Sequence, residues 1–236
     1  MLCILSDEHS LQLCELYFFF DLNNNLLFDW NASDHLNITD YQSTLFIGNS
    51  IPGQIAWMHG NSIDVDYDDN LILSNRKSSE IIKINRNNGE VIWIMGGPLN
   101  EFQIINDSLN GTAKQHDVTR LDNGNILVFD NGENNTHPAS RVVEYEIDEN
   151  NKVASLVWEF FNPYGYISRA MGSAQRLPNG NTLINWGTVL VEGTNVGANI
   201  IERINLSQRI KSNIKGLVKK NHYSVKFLHI WVSVDI

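Results

Sequence analysis

Apolar and polar residues alternate with period two in short runs along this chain, and turn-forming pairs separate the runs. In Glu80 to Asn85, Ile82 and Ile84 fall on one face while Lys83 and Asn85 fall on the other. In Arg141 to Ile147, Val143 and Tyr145 alternate with Glu144 and Glu146 in the same way. This is the signature of half-buried strands. The connectors Asn88-Gly89, Asn123-Gly124 and Asn179-Gly180 suit the positive φ of a type I′ hairpin turn. No amphipathic helical period runs between them, so the pattern predicts an all-β chain.

The strands recur as a larger unit. Leu121 to Leu127 reads LDNGNIL, Leu177 to Leu183 reads LPNGNTL 56 residues later, and Tyr67 to Leu73 reads YDDNLIL 54 residues before the first. Each copy is followed by further strand and turn segments, SEIIKINRNNGEVIWIMGG after the first and SRVVEYEIDENNKVASLVWEF after the second. Four short strands per unit, repeated, predict the blades of a β-propeller. Trp93 and Trp158 close equivalent fourth strands and are expected to wedge between neighbouring blades.

The units fall at about Trp57–Gly97, His116–Pro163 and Gly172–Asn205, with Tyr17–Trp30 matching the outer half of one more. That is a single propeller domain of about three and a half blades, where rings close with roughly 4 to 8. An unclosed ring would expose apolar blade faces worth about 1.5–3 kcal/mol per large side chain. Three outcomes follow: a small four-bladed ring, pairing with another chain through open blade edges, or a piece of a longer propeller. The divergent tail from Leu206, which lacks the Asn-Gly turns, favours the third.

Composition narrows the partners. A formal charge of −10 argues against nucleic acid, whose phosphates need a cationic footprint. The one basic cluster, Arg209 to Lys220, lies in the divergent tail. No apolar run approaches the ~20 residues of a membrane-spanning helix. Leu16 to Phe20 reads as a strand, and MLCILSDEHS lacks the basic start of a signal peptide. Cys3 and Cys14 could pair with each other, but two thiols make neither a disulfide framework nor a zinc site. The six Asn-x-Ser/Thr sequences, at Asn31, Asn37, Asn106, Asn110, Asn134 and Asn205, are expected by chance in so asparagine-rich a chain.

The candidate chemistry lies just before the innermost strands, which line a propeller's channel. His59 precedes one such strand in WMHGNSIDV and His116 precedes the next in KQHDVTRL. One histidine in such a place reads as a surface or loop residue. Two at matching positions are expected to face a shared cavity.

These same segments carry a resemblance. WMHGNSIDVDYDDNLILSNR, IIKINRNNGEVIWIMGG, KQHDVTRLDNGNILVFDNG, SRVVEYEID and MGSAQRLPNGNTLINWG, in that order, resemble the bacterial-type arylsulfotransferase family across roughly Asp34 to Ile204. The resemblance implies a six-bladed propeller, a periplasmic or secreted location, and small aryl sulfates and phenols as partners. It also implies transfer of a sulfuryl group from a phenolic sulfate ester to a phenol through a sulfated histidine, with no nucleotide donor and no cofactor. It places His59 and His116 among the active-site histidines and Asn61 and Arg76 among contacts to sulfate oxygens. Arg76 has a second reading, as partner of an acid. The chain also departs from the family pattern. Glu133, Asn134 and Asn135 follow FDNG where an arginine is expected, leaving Arg141 as a stand-in if it turns inward. No histidine falls between His137 and His222, where the family's nucleophile is expected. A non-catalytic propeller binding a ligand or partner on its channel face therefore stands as the alternative. A hydrolase or lyase on the same scaffold is the third.

Overall fold

The structure is a computed structural model, and it describes residues 2–7, 10–44, 46–47, 54–133, 136–191, 194–195 and 200–203. The tail expected to diverge, with its basic cluster and His222, lies outside the described residues, as do Asn134 and Asn135.

The chain opens with β1 (Leu2–Asp7), β2 (Ser10–Phe20) and β3 (Leu26–Asn31), an antiparallel meander whose second hairpin spans the segment expected to form half a blade. Cys3 and Cys14 are register partners across β1 and β2. Two strands, β4 (Phe46–Ile47) and β5 (Gln54–Ala56), complete this sheet, β5 pairing parallel with β2. Between β3 and β4 lie the helical turn α1 (Ala32–His35) and a 3-10 turn at Ile38–Tyr41, which the alternation did not predict. Their caps explain two of the Asn-x-Ser/Thr sequences: Asn31 accepts from the Ser33 N–H and Asn37 from the Thr39 N–H.

A four-stranded antiparallel blade follows, ordered β6 (Gly60–Val65), β7 (Leu71–Asn75), β8 (Glu80–Ile84) and β9 (Val91–Met95). After β10 (Gln103–Ile105) comes the second blade, β11 (His116–Arg120), β12 (Ile126–Asp130), β13 (Arg141–Asp148) and β14 (Val153–Phe161). Its outer edge is extended by β10, parallel to β14. The next unit begins with β15 (Ser168–Ala170), β16 (Ser173–Arg176) and β17 (Thr182–Asn185), then β18 (Thr188–Val191), β19 (Thr194–Asn195) and β20 (Ile200–Arg203). Here β16, β17 and β20 form one sheet, and β15, β18 and β19 a second small one. The architecture is that of successive propeller blades, with no closed ring among the described residues.

The first hairpins of three units superpose by their hydrogen bonds. Asp66, Leu121 and Leu177 each receive a backbone N–H from three residues on, and each donates to the carbonyl four residues on, at Asn70, Asn125 and Asn181. Gly124 (φ 88°) and Gly180 (φ 80°) hold the left-handed position, and Asp69 (φ 65°) takes it in the first unit. Asn123 and Asn179 do not enter that region. They accept the N–H two residues on through their side chains instead. The turns are therefore type I followed by a left-handed bulge residue, not the expected type I′.

Blades pack face to face through three apolar clusters. Leu71, Leu73, Ile82 and Ile84 face Trp30 of the first sheet and Trp57 just after β5; Ile72, Ile81 and Trp93 meet Val118, Ile126 and Val143 of the next blade. Leu127, Phe129 and Val142 meet Ala174, Ile184 and Trp186, with Trp158 partly buried alongside. Trp93 and Trp158 are ladder partners of Lys83 and Glu144, positions that correspond between blades. Sandwiching corrects the half-buried reading of β8, which is buried at every position. Lys83 does alternate with Ile82, but it turns into the blade interface, where Asp66 (2.9 Å), Asp68 (2.7 Å) and Glu149 (3.0 Å) neutralise it. Burial alone would depress its pKa; these three carboxylates outweigh that and raise it.

Candidate active site

The turn equivalence fixes which residues match at the other end of each hairpin. Five residues before Asp66, Leu121 and Leu177 stand Asn61, His116 and Gly172. The residue matching His116 is thus Asn61, and His59 matches Lys114, two residues earlier. The expectation of matched histidines is corrected: a bulge interrupts the β6–β7 and β11–β12 ladders at this end, and the register drifts there. The residues following each second strand also correspond: Arg76 after β7 and Asn131 after β12. These two rows meet at one end of the blade interface.

His59 is largely exposed; its N–H donates to Asn75 Oδ1 (2.8 Å) and its carbonyl accepts from the Arg76 N–H. Crowding by neighbouring atoms and the charges of Arg76 and Lys77 lower its pKa. His116 is half-buried. Its Nδ1 lies 2.7 Å from Asn131 Oδ1, and its Nε2 accepts from the Met171 N–H at 3.3 Å. Burial pushes its pKa down to about 4; Asn131 and a hydrogen bond to the Lys114 backbone oppose this, and the charges of Arg76 and His59 reinforce it. The two imidazoles therefore sit within each other's electrostatic reach, in a common setting with Arg76. The equivalence argument fails, and what links the pair is this electrostatic interaction.

Cations surround them. Lys114 Nζ donates to the Lys77 carbonyl (2.6 Å), and burial together with Arg76 lowers the pKa of both Lys77 and Lys114. Arg76 forms an ion pair with Glu133 and donates to the Arg169 carbonyl (2.9 Å). The second reading of Arg76, as an acid's partner, is the one observed in the absence of ligand. Glu133, which stands where an arginine was expected, is that acid.

Two expected contacts are otherwise engaged. Asn61 donates through Nδ2 to the Gln115 carbonyl (2.7 Å), and its buried Oδ1 has no hydrogen-bond partner. It offers an acceptor here, the opposite of what a sulfate oxygen needs. Arg141 is fully buried, and all five of its N–H groups are spent: on Asp130, twice on Asp107, on Glu159 and on the Gly111 carbonyl. It does not turn toward the histidines; it clamps the loop 107–111 onto β13. Burial would raise the Asp107 pKa, but the hydrogen bonds from Arg141 and Tyr145 hold it near about 2. Among the described residues no group of three or more His, Cys, Asp or Glu side chains could hold a metal ion. None of the described helices is long and apolar enough to cross a membrane.

Lys77, Lys114 and Asn131 are the residues that sequence reasoning missed. The signal for Asn131 was present, since it lies one repeat after Arg76. It was hidden inside FDNG, which reads as turn punctuation.

Comparison with known proteins adds the family. The family described as "Arylsulfotransferase (ASST)" matches residues 18–224. Arylsulfate sulfotransferase AssT of Escherichia coli O6:H1 is 31% identical over 161 residues, covering 54% of this chain and 26% of that protein. The AssT of Lelliottia amnigena is 30% identical over 142 residues, covering 47% of this chain and 24% of its own length. The matches thus span about a quarter of the curated relatives. Among solved structures, the Dos1 propeller aligns with a TM-score of 0.38 and 11% identity, over 67% of this chain and 36% of that one. A protein of unknown function from Bacteroides caccae aligns with a TM-score of 0.33 and 14% identity, over 79% and 67%. With its family match running from β2 to beyond the last described strand, the chain belongs to the arylsulfotransferase family.

Proposed function

We propose that this chain carries a sulfuryl-transfer site, centred on His116, that moves a sulfuryl group from a phenolic sulfate ester to a phenol. The observation that carries the proposal is the grouping of a neutral imidazole with Arg76, Lys77 and Lys114 in a chain of formal charge −10. An anionic ester is drawn to such a locally positive patch, and its oxygens find N–H donors there. The resemblance expects the attacking histidine between His137 and His222, where this chain has none, so His116 takes that role in this reading: with a pKa near 4 it is unprotonated at neutral pH and holds a free electron pair for attack on sulfur.

The step balances as two displacements. The imidazole nitrogen forms a bond to sulfur while the sulfur–oxygen bond to the aryl group breaks, and the phenolate leaves with that electron pair and takes a proton from solvent. In the second half the acceptor's hydroxyl gives its proton to His59, whose lowered pKa leaves it unprotonated and able to receive it. The acceptor oxygen then bonds to sulfur as the nitrogen–sulfur pair returns to His116. Arg76, Lys77 and Lys114 hold the sulfuryl oxygens throughout. No cofactor enters.

A second reading, a propeller that binds aryl sulfates without turning them over, is favoured by Glu133, whose carboxylate already occupies Arg76. The test is release of 4-nitrophenolate from 4-nitrophenyl sulfate by the chain, with phenol as acceptor and phenyl sulfate measured as product. Phenol-dependent release that falls at least ~10²-fold in His116→Ala, the scale of losing a positioned reactive histidine, supports transfer. Lys152→Ala, on an exposed turn, serves as control. Saturable binding of the ester with no release supports the second reading.

A further inference from the structure

We infer that Asn131 is the positioning residue of this site: it fixes His116 in the Nδ1–H tautomer and so makes Nε2 the nitrogen that attacks sulfur. The role in transfer rests on the function proposed above, whereas the tautomer does not.

The inference follows from counting donors and acceptors around one buried amide. Asn131 is fully buried. Its Nδ2 donates to the Ser168 carbonyl (2.7 Å) and the Met171 carbonyl (2.9 Å). Both of its N–H bonds are therefore committed to carbonyl oxygens, which can only accept. That commitment settles which end of the amide faces the imidazole: Oδ1, an acceptor, at 2.7 Å from Nδ1. A 2.7 Å contact to an acceptor requires Nδ1 to carry the proton. In a neutral imidazole Nε2 is then the bare nitrogen.

The other side of the ring agrees independently. The Met171 N–H points at Nε2 from 3.3 Å, a donor facing a lone pair. Met171 itself takes a left-handed φ of 62° and its neighbour Gly172 one of 111°, which brings the N–H round to the ring. Gly172 is confined to glycine, since a Cβ there would lie 2.2 Å from the Phe129 ring. A bond of 3.3 Å is long and easily surrendered, so Nε2 is held in place without being consumed.

The frame behind Asn131 is equally fixed. Its carbonyl accepts from Ser140 Oγ (2.6 Å), and the same Oγ accepts from the Ser168 N–H (2.6 Å). The loop before β15 and the end of β12 are thus stitched on both sides of the amide. During transfer the Nδ1 proton stays between His116 and Asn131. Positive charge that develops on the imidazole as Nε2 bonds to sulfur is met by the Oδ1 dipole.

The test is ¹⁵N NMR of the chain labelled at histidine, at neutral pH and without substrate. His116 should show a protonated Nδ1 and a bare Nε2, against the Nε2–H form that free histidine side chains favour. In Asn131→Ala that preference should disappear, and kcat should fall about 10- to 100-fold, the scale of removing a partner that orients a functional histidine, with KM changed less. An Nε2–H tautomer in the unmutated chain overturns the inference, and so does an unaltered Nδ1–H tautomer in Asn131→Ala. If that variant does not fold, the tautomer of the unmutated chain decides alone. Because the spectrum needs no turnover, a chain that shows the Nδ1–H form but transfers no sulfate supports this inference and defeats only the proposed function.

Discussion

One blade interface ends in two different ways. At the hairpin-turn end, Lys83 and Arg120 are enclosed by Asp66 and Glu149: Arg120 binds both Asp66 oxygens (2.8 and 2.7 Å) and Glu149 (2.8 Å), and Tyr67 lies over both cations. At the opposite end Arg76, Lys77 and Lys114 gather around His59 and His116 with Glu133 as their nearby carboxylate. At the first end Asp68 joins Asp66 and Glu149, so carboxylates outnumber cations and both cations are held by several of them, as in a structural clasp. The second is left cationic and carries an unprotonated imidazole. An arginine is therefore not informative by itself. Arg141, buried with every donor used, is structural even though it lies beside Asp130 at the other end of the blade, and Arg76, partly exposed and held by one carboxylate, belongs with the site.

The contrast can be broken most forcefully at Arg141. Arg141→Ala leaves Asp107 and Asp130 buried without their cation, and should lower stability by about 3–5 kcal/mol. Chemical denaturation measures it. A loss within the range of a surface substitution would mean that the Arg141 network is not structural.

Asp117, next to His116 in sequence, gives an intermediate effect with a pH signature. Burial raises its pKa to about 6 from 3.8; the Ala174 N–H opposes this and Asp64 adds to it. A folded-state pKa above the unfolded one means that its stabilising contribution is complete below about pH 4 and lost as pH rises through 6. Asp117→Asn should therefore stabilise the fold by about 1–3 kcal/mol at pH 8 and leave it unchanged at pH 4, in parallel melts at the two values. Equal effects at both pH values would contradict the burial argument.

Much of this was readable from the chain alone. The phrases LDNGNIL and LPNGNTL do form equivalent hairpins, because an Asn–Gly turn and flanking alternation are local properties. The blades' outer faces were not readable. Lys83 looks solvent-facing until the next blade brings Glu149 over it, and that is a contact between residues 66 apart in sequence. The site was half readable. His59 and His116 interact electrostatically although they are not equivalent positions, since a bulge shifts register without leaving a mark in composition. Arg141 was misread because its partners, Asp107 and Asp130, lie on separate loops and strands that only the fold assembles. Asn131 escaped because asparagine in a DNG phrase has an ordinary explanation as a turn residue.

The smallest effect sharpens the comparison at the mouth. Glu133→Gln removes the carboxylate that competes for Arg76, so KM for 4-nitrophenyl sulfate should drop a few-fold, below about 1 kcal/mol, as for any partly exposed ion pair. Steady-state kinetics at low salt would show it. Glu149→Gln at the carboxylate-rich end should leave KM alone and reduce stability instead.

The central claim, that the cationic end of this interface performs chemistry and does so on His116, has one direct measurement. The chain is mixed with 4-nitrophenyl sulfate in the absence of any phenol acceptor, quenched in alkali, digested and examined by mass spectrometry. The account predicts one added SO₃ group on the peptide containing His116, formed together with the burst of 4-nitrophenolate and discharged when phenol is supplied. Turnover with no such adduct, or with the adduct on a different residue, would contradict it.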